Sequence, residues 1–426
     1  MHLQNLSCLC INKISNKLKK LLHLNTLPLK VLAHKSATQP KLNIYSTAWF
    51  KKIKKQTIDL CVLLTFVLIT VVFPNFTPLI CEKEISVRST LNKTSKMKAI
   101  IPVAGAGAKL RPHTYTQPKA LIPIAGKTIL SFIVDQLNTA GINEFIFIVG
   151  YLGEKIQDYV KQTYPDLHCH FVYQNERQGT GHAIELTKNI VGSDEVFVVL
   201  GDTICDYDVK EIMASEFSML GVKKVDDPRS FGVAEIDDEG FISHVVEKPS
   251  IPKSNMALVG LYKIRETHFL FECLHHLFTE EIKTYGEYNL TDALDCMIKR
   301  GARFKPFKVK NWFDCGKKET LLESNATLLK KFGGKVHESV QSENSIIIPP
   351  VSVGPGCVLK NAIIGPHVAV GANTTVQYSI LRDSIIGSYT NLYEVVIDNS
   401  LIGSDASVKG LSRSLNIGDN TEIDFG

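Results

Sequence analysis

The sequence lacks the marks of several large protein classes. Its 10 cysteines are scattered, with no CxxC pair and no zinc-like spacing, so no metal-binding cysteine cluster is indicated and the thiols suit a reducing cytoplasm. A large excess of one charge sign is lacking as well. The formal net charge is +5, and much of the excess sits near the N-terminus rather than in a groove-like cluster, so nothing calls for nucleic acid as a partner. No Walker A loop is present, because Leu121 stands where Gly126-Lys127-Thr128 would need that motif's first glycine. The first apolar core does not read as a standard signal peptide either, since about 50 residues precede it. That core, Leu60 to Phe73, stops after about 14 residues at Pro74 unless it continues to Ile80, short of the ~20 residues that a spanning helix needs. Behind Lys51-Lys52-Ile53-Lys54-Lys55 it reads as a basic flank and a membrane segment over about 57–80, with the positive end inside.

What is present begins at Met97. At 426 residues the chain has room for two or three domains. Ala99 to Val103 reads as a buried strand and runs into a loop with Gly105 and Gly107, followed by Lys109, Arg111 and Lys119. Glycines let backbone N–H groups approach an anion closely, and the cations neutralise it. A strand that leads into such a loop describes a phosphate site at the carboxyl end of a sheet. Leu110 takes the place of a third glycine, so the loop is not a complete dinucleotide fingerprint.

The run Gly105-Ala106-Gly107-Ala108-Lys109-Leu110-Arg111-Pro112, then Pro118-Lys119-Ala120-Leu121-Ile122-Pro123, then Gly126-Lys127 resembles the opening of the sugar-1-phosphate nucleotidyltransferases, GxGTRLxPxT…PKxLxPxxGKP. Two positions depart from that pattern: Ala108 replaces Thr, and Lys109 replaces an Arg that contacts the nucleotide phosphates. Lysine keeps the charge and loses the planar fork. This family normally starts at the position of Met97, so residues 1–96 are expected to be a disordered or non-native extension, with a membrane anchor as the alternative.

From Met97 to about Gly201, strands and helices alternate. Helices are expected at Ile129 to Ala140, Leu152 to Thr163 and Ala183 to Ile190, and strands at Glu144 to Val149, His170 to Tyr173 and Glu195 to Leu200. This spacing argues a Rossmann-like three-layer α/β domain with a mainly parallel sheet. The last strand ends at Gly201-Asp202-Thr203. An aspartate there suits either a turn or a Mg²⁺ ligand, and the resemblance implies the ligand, with Asp314 of Trp312-Phe313-Asp314-Cys315-Gly316 as the second. The resemblance also implies that Ala104, Gly105, Gly107, Gln174, Gly179 and Asp202 hold the nucleotide, with Gln174 and Gly179 on the base. It further implies that Gly232, Glu247, Lys248, Val259 and Gly260 hold the sugar phosphate, and that Lys109, Arg111 and Lys119 act on the reacting phosphates. The segment from Tyr285 to Asp292 resembles the piece that closes over the sugar pocket, with its tyrosines read as ordinary half-buried packing.

After Gly333 the texture changes. Triplets at six-residue steps recur about every 16 residues: Ile347/Val353/Leu359, Ile364/Val370/Val376, Ile380/Ile386/Leu392, Val396/Ile402/Val408 and Leu411/Ile417/Ile423. Each is one three-sided coil stacking its aliphatics on the next, and the pattern resembles the left-handed β-helix of hexapeptide-repeat proteins. Some such domains transfer acyl groups with a histidine base. His367 is the lone histidine of these coils, and it reads as structural. The expected division is 97–335 for the catalytic domain and 340–426 for the β-helix.

The resemblance implies a Mg²⁺-dependent enzyme that joins a nucleoside triphosphate to a sugar 1-phosphate, in the cytoplasm and as a homo-oligomer through the β-helix. Thymidylyl transfer to glucose 1-phosphate leads, followed by uridylyl transfer and by guanylyl transfer to mannose 1-phosphate. The competing class is a nucleotide-sugar-binding regulatory subunit without turnover, for which Ala108 and Lys109 speak. A membrane partner follows only if the N-terminal extension is genuine.

Overall fold

The computed structural model describes residues 97–410. The N-terminal extension with its apolar stretch 57–80, and the fifth triplet Leu411/Ile417/Ile423, lie outside the described residues. Among the described residues no helix is long and apolar enough to cross a membrane.

Strand β1 (Met97–Pro102) is the central rung of the first half of the sheet. It pairs in parallel with β2 (Glu144–Val149), and β2 in turn with β3 (His168–Tyr173). On its other side β1 pairs in parallel with β4 (Glu195–Val199). Helices α1 (Ile129–Thr139) and α2 (Gly153–Thr163) make the crossovers. Helix α1 starts where the Thr128 hydroxyl accepts the Ser131 N–H at 3.0 Å, an N-cap. It buries Ile129, Ile133, Val134 and Leu137 at helical spacing.

The single helix expected over Ala183 to Ile190 is two: α3 (Thr180–Glu185) and α4 (Lys188–Val191). Thr187 is the reason. Its buried hydroxyl donates to Ile184 O at 2.7 Å, a local bond that competes with the helix ladder.

Beyond β4 the pairing turns mixed. A short strand β5 (Thr203–Asp206) and helix α5 (Val209–Ala214) lead to β6 (Ser218–Lys224), β7 (Gly232–Ile236), β8 (Ile242–Glu247) and β9 (Met256–Ile264). Then come α6 (Thr267–Thr279), α7 (Leu290–Lys299), β10 (Phe304–Lys308), β11 (Asn311–Asp314) and α8 (Lys318–Phe332). The 9-stranded sheet runs β3-β2-β1-β4-β9-β6-β10-β8-β7. Strand β9 is antiparallel to both β4 and β6, so the parallel order argued for 97–201 stops at β4. Alternate residues feed opposite faces: Ala99, Ile101, Phe145 and Phe147 face one core, and Ile100, Ile146 and Ile148 the other. With helices over both faces, these are the three layers.

From Gln341 the chain winds into a left-handed parallel β-helix of three ladders. Leu359 pairs with Val376, then Leu392 and Val408, and Val353 pairs with Val370, then Ile386 and Ile402. On the third ladder two expected core residues are corrected. Ile380 and Val396 are 43% and 78% exposed, while Leu381 and Ile397 take the inward places at 0% and 8%. Ile347 pairs with Ile364, Ile364 with Leu381, and Leu381 with Ile397. The step from Leu381 to Ile386 is one residue shorter than that from Ile364 to Val370, and a slip of one residue turns every side chain of a strand over.

The coils lean on the α/β part. Ala369 and Ile385, which point outward from one ladder, are buried in the same apolar cluster as Leu121, Ile122 and Ile124, with Leu401 packed beside them. Fully buried Asn325 of α8 completes the joint: its Oδ1 accepts from Ala125 N at 2.8 Å and its Nδ2 donates to His367 O at 2.9 Å. The His367 ring bonds Asp383 at 2.7 Å, in keeping with a structural histidine.

Candidate functional site

The carboxyl ends of β1 to β4 bring four loops together. The first carries Ala104, Gly105 and Gly107. Gly107 has φ 63, and its carbonyl accepts from the Thr114 hydroxyl at 2.9 Å. A Cβ on Gly107 would lie 2.9 Å from Thr114 Cγ2 and 3.1 Å from Lys119 Cβ, so this tight turn takes glycine. The third loop carries Gln174 and Gly179. The Gln174 amide is buried and its Nε2 donates to Gly179 O at 3.0 Å and contacts His182 Nδ1 at 3.2 Å. Gly179 has φ 108, and a Cβ there would meet Tyr288 O at 2.4 Å. The loop is stitched to the start of α7 by Tyr288 N to Gln178 O at 2.8 Å and by Leu290 N to the Thr180 hydroxyl at 2.9 Å.

The fourth loop carries Asp202. Its Oδ2 lies 2.7 Å from Lys119 Nζ, and its Oδ1 accepts from the Thr203 hydroxyl at 3.2 Å. Strand β5 pairs antiparallel with β11, with Thr203 opposite Asp314, and Cys315 N donates to Asp202 O at 3.3 Å. The backbone of the second expected metal ligand is thereby brought beside the first. Among the described residues no group of three or more His, Cys, Asp or Glu could hold a metal ion. A cation that keeps waters and takes phosphate oxygens needs only one or two carboxylates, and Asp202 brings one to the cleft.

Two cavities meet at Asp202. One, of about 260 Å³, is lined by Ala104, Gly105, Lys119, Gln174, Gly179 and Asp202. The other, of about 310 Å³, is lined by Asp202, Gly232, Glu247, Lys248, Val259 and Gly260. Every expected nucleotide residue except Gly107 lines the first, and every expected sugar-phosphate residue lines the second. In the second cavity the Thr291 hydroxyl donates to Glu247 Oε2 at 2.7 Å, and Lys248 Nζ lies 3.4 Å from Glu247 Oε1. Gly260, at φ 78, sits in the irregular stretch of β9 and accepts from Leu200 N at 2.9 Å. Burial, and then Glu247, pushes the Tyr262 hydroxyl up from its usual range.

Lys109 and Arg111 are not brought in. Both are exposed on the loop outside the cavity, Arg111 lying over the Tyr115 ring at 5.0 Å. Several contributors were not singled out from the sequence. Arg177 lines the first cavity, Thr291 the second, and Thr180 and Glu287 both. Their signal is position near Gln174 and Gly179 or within Tyr285 to Asp292, which alone does not separate a lining side chain from its neighbour. The tyrosines differ from expectation as well. Tyr288 is buried at 6%, whereas Tyr285 is 69% exposed and its hydroxyl donates to Lys248 O at 2.7 Å, fixing the backbone of a residue at φ 43. A larger cavity of about 740 Å³ opens between α1, β5 and α8, and it contains none of the expected site residues.

A glycine-turn phosphate loop at the end of β1, a two-cavity cleft centred on an aspartate, and a stacked-coil domain define a nucleotidyltransferase-type α/β enzyme joined to a β-helix. The chain belongs to the nucleotidyl transferase family, whose model matches residues 98–331, and within it to the sugar-phosphate nucleotidyltransferases. It is 30% identical over 361 residues to the low-salt glycan biosynthesis nucleotidyltransferase Agl11 of Haloferax volcanii, covering 77% of this chain and 99% of that one. It is 34% identical over 318 residues to the bifunctional protein GlmU of Methanocaldococcus jannaschii, covering 74% and 72%. A solved structure of apo UDP-glucose pyrophosphorylase superposes with a TM-score of 0.50 at 25% identity, over 56% of this chain and 99% of the other.

Proposed function

We propose that the chain transfers a nucleotidyl group from dTTP to glucose 1-phosphate, releasing pyrophosphate, with Mg²⁺ as cofactor. The observation that carries this reading is Asp202, which lines both cavities and lies 2.7 Å from Lys119 Nζ: two substrates lying in them would meet beside this pair. The nucleotide lies with its base against Gln174 and Gly179 and its phosphates over Ala104, Gly105 and Gly107. Gly232, Val259 and Gly260 shape the sugar side, where Glu247 takes hydroxyls and Lys248 the phosphate. A phosphate oxygen of the sugar attacks the α-phosphorus in line and pyrophosphate leaves. Catalysis here is positioning and charge neutralisation. Lys119 reaches the reacting phosphates, with Lys109 and Arg111 on the approach to the triphosphate. Asp202 and Asp314 would hold Mg²⁺, which when bound neutralises phosphate charge.

A glucose-1-phosphate thymidylyltransferase of Streptomyces griseus, 31% identical over 333 residues, supports the first reading. The likeness to UDP-glucose pyrophosphorylase supports uridylyl transfer as the second. The coils are assigned a homo-oligomer contact and the reaction a cytoplasmic setting. The test is pyrophosphate release with Mg²⁺ across dTTP, UTP, GTP, CTP and ATP and a set of sugar 1-phosphates. Release with one pair, lost in Asp202→Asn, is expected. Silence with every pair, from folded protein that still binds a nucleotide, would replace this reading with the regulatory one.

A further inference from the structure

The cations that line the nucleotide-side cavity are Lys119 and Arg177. Lys119 is already committed to Asp202 at 2.7 Å. Arg177 has no ion pair among the described residues, and its guanidinium lies over the Tyr151 ring at 5.9 Å. Tyr151 is held in its turn, because its hydroxyl donates to Tyr115 O at 3.0 Å. Arg111 lies over that Tyr115 ring at 5.0 Å. Beside the cavity two guanidiniums thus lie on two tyrosines, and one hydrogen bond ties the tyrosines together.

The charges within the cavity point the same way. Asp202 and Glu287 line it opposite Lys119 and Arg177, so the lining is balanced before any ligand arrives. A triphosphate brings several negative charges and needs cations that are not already spent. Lys109 presents a point charge where the family pattern has an Arg, and it stands outside the lining. A planar fork pre-oriented on an aromatic face is the group suited to two phosphate oxygens at once.

We propose that Arg177, braced on Tyr151, binds the β- and γ-phosphates of the nucleoside triphosphate from the rim of the cavity. This rests on the functional reading above and adds a residue to it. Arg177 belongs to the loop between Gln174 and Gly179, so the loop that reads the base would also hold the leaving pyrophosphate.

The test is equilibrium binding to the full chain of inorganic pyrophosphate, dTMP and dTTP, for the wild type, Arg177→Ala, Arg177→Lys and Tyr151→Leu. Arg177→Ala is expected to weaken pyrophosphate and dTTP by about 10-fold or more, as for a charged hydrogen bond, and to leave dTMP unchanged. Arg177→Lys should fall between, and Tyr151→Leu should move in the same direction by less. Equal losses for dTMP and dTTP would assign Arg177 to the base and overturn the proposal, as would no loss on any ligand. Wild-type turnover is measured alongside. An active wild type with an unaffected Arg177→Ala overturns only this assignment, whereas a wild type without turnover overturns the functional reading and this assignment with it.

Discussion

Lys119 Nζ lies 2.7 Å from Asp202 Oδ2, although the two residues are 83 positions apart in the chain. The cation and the carboxylate therefore neutralise each other, and under the proposed function these are the groups for phosphate and for metal. On that proposal incoming phosphates would separate them, and each partner would then find its own counter-charge. Lys119→Met is expected to lower pyrophosphate release by about 100-fold or more, in the range for loss of one preorganised electrostatic contact, with the fold intact by circular dichroism. Chelation of divalent metal should silence the wild type and be reversed by added Mg²⁺. Full turnover in the presence of chelator would remove Asp202 and Asp314 from a metal role.

Asn325 makes the clearest stability prediction. Its amide serves Ala125 N and His367 O together, with no exposure to water. Asn325→Ala leaves a part-buried donor and a part-buried acceptor without their partner, a cost of about 2–4 kcal/mol. Urea denaturation measures it, and a loss below about 1 kcal/mol would show that water or a shift of the coils replaces both bonds.

The third ladder of the β-helix can be tested at adjacent positions. Ile380→Lys changes an exposed side chain and is expected to stay within about 0.5 kcal/mol of the wild type. Leu381→Lys buries a charge in the stack and is expected to cost more than about 3 kcal/mol. Thermal melts of the two variants decide the register, and the reverse order would restore the six-residue step.

Asp292, in the first turn of α7, has its Oδ2 buried without a hydrogen-bond partner. Burial pushes its carboxyl above the usual range, and Glu247 and Asp295 add to the rise against hydrogen bonds from Thr284 and Asn289. The folded chain thus binds this proton more tightly than the unfolded chain does. The stability it contributes is full below about 3.9, the ordinary aspartate value, and is lost as pH rises through the raised folded value. Asp292→Asn should therefore be more stable than the wild type near pH 7 and no more stable at about pH 3.5. Denaturation at both pH values checks this, and an equal gain at the two would exclude titration of Asp292 as the cause.

The parallel half of the sheet was legible because β1, β2 and β4 are continuous apolar runs bounded by glycine or polar turns. The lining positions of Gln174, Asp202, Glu247 and Lys248 were legible through their motifs. Other features depend on distant chain and leave no local trace. Strand β9 enters antiparallel beside β4 after some sixty residues, which no periodicity within either strand announces. The break at Thr187 comes from one hydroxyl, in a stretch whose apolar spacing suits a continuous helix. Arg111 falls within a motif and Lys109 keeps its charge there, but both lie exposed on the loop after the turn at Gly107. Ile380 and Leu381 are equally apolar neighbours, so only the pairing with Ile363 and Ile364 tells which of them faces in.

Ala369, Ile385 and Leu401 dock as successive rungs on a surface that does not repeat. Duplication of a coil beyond Lys409 would lengthen the prism and leave those three residues where they are. Duplication between Ala369 and Ile385 would carry the later rungs along by about 4.8 Å, one strand spacing, and out of their sockets. Soluble folded protein from both kinds of duplication would contradict this. The rungs from Ala369 to Leu401 are therefore fixed in number by the surface they dock on.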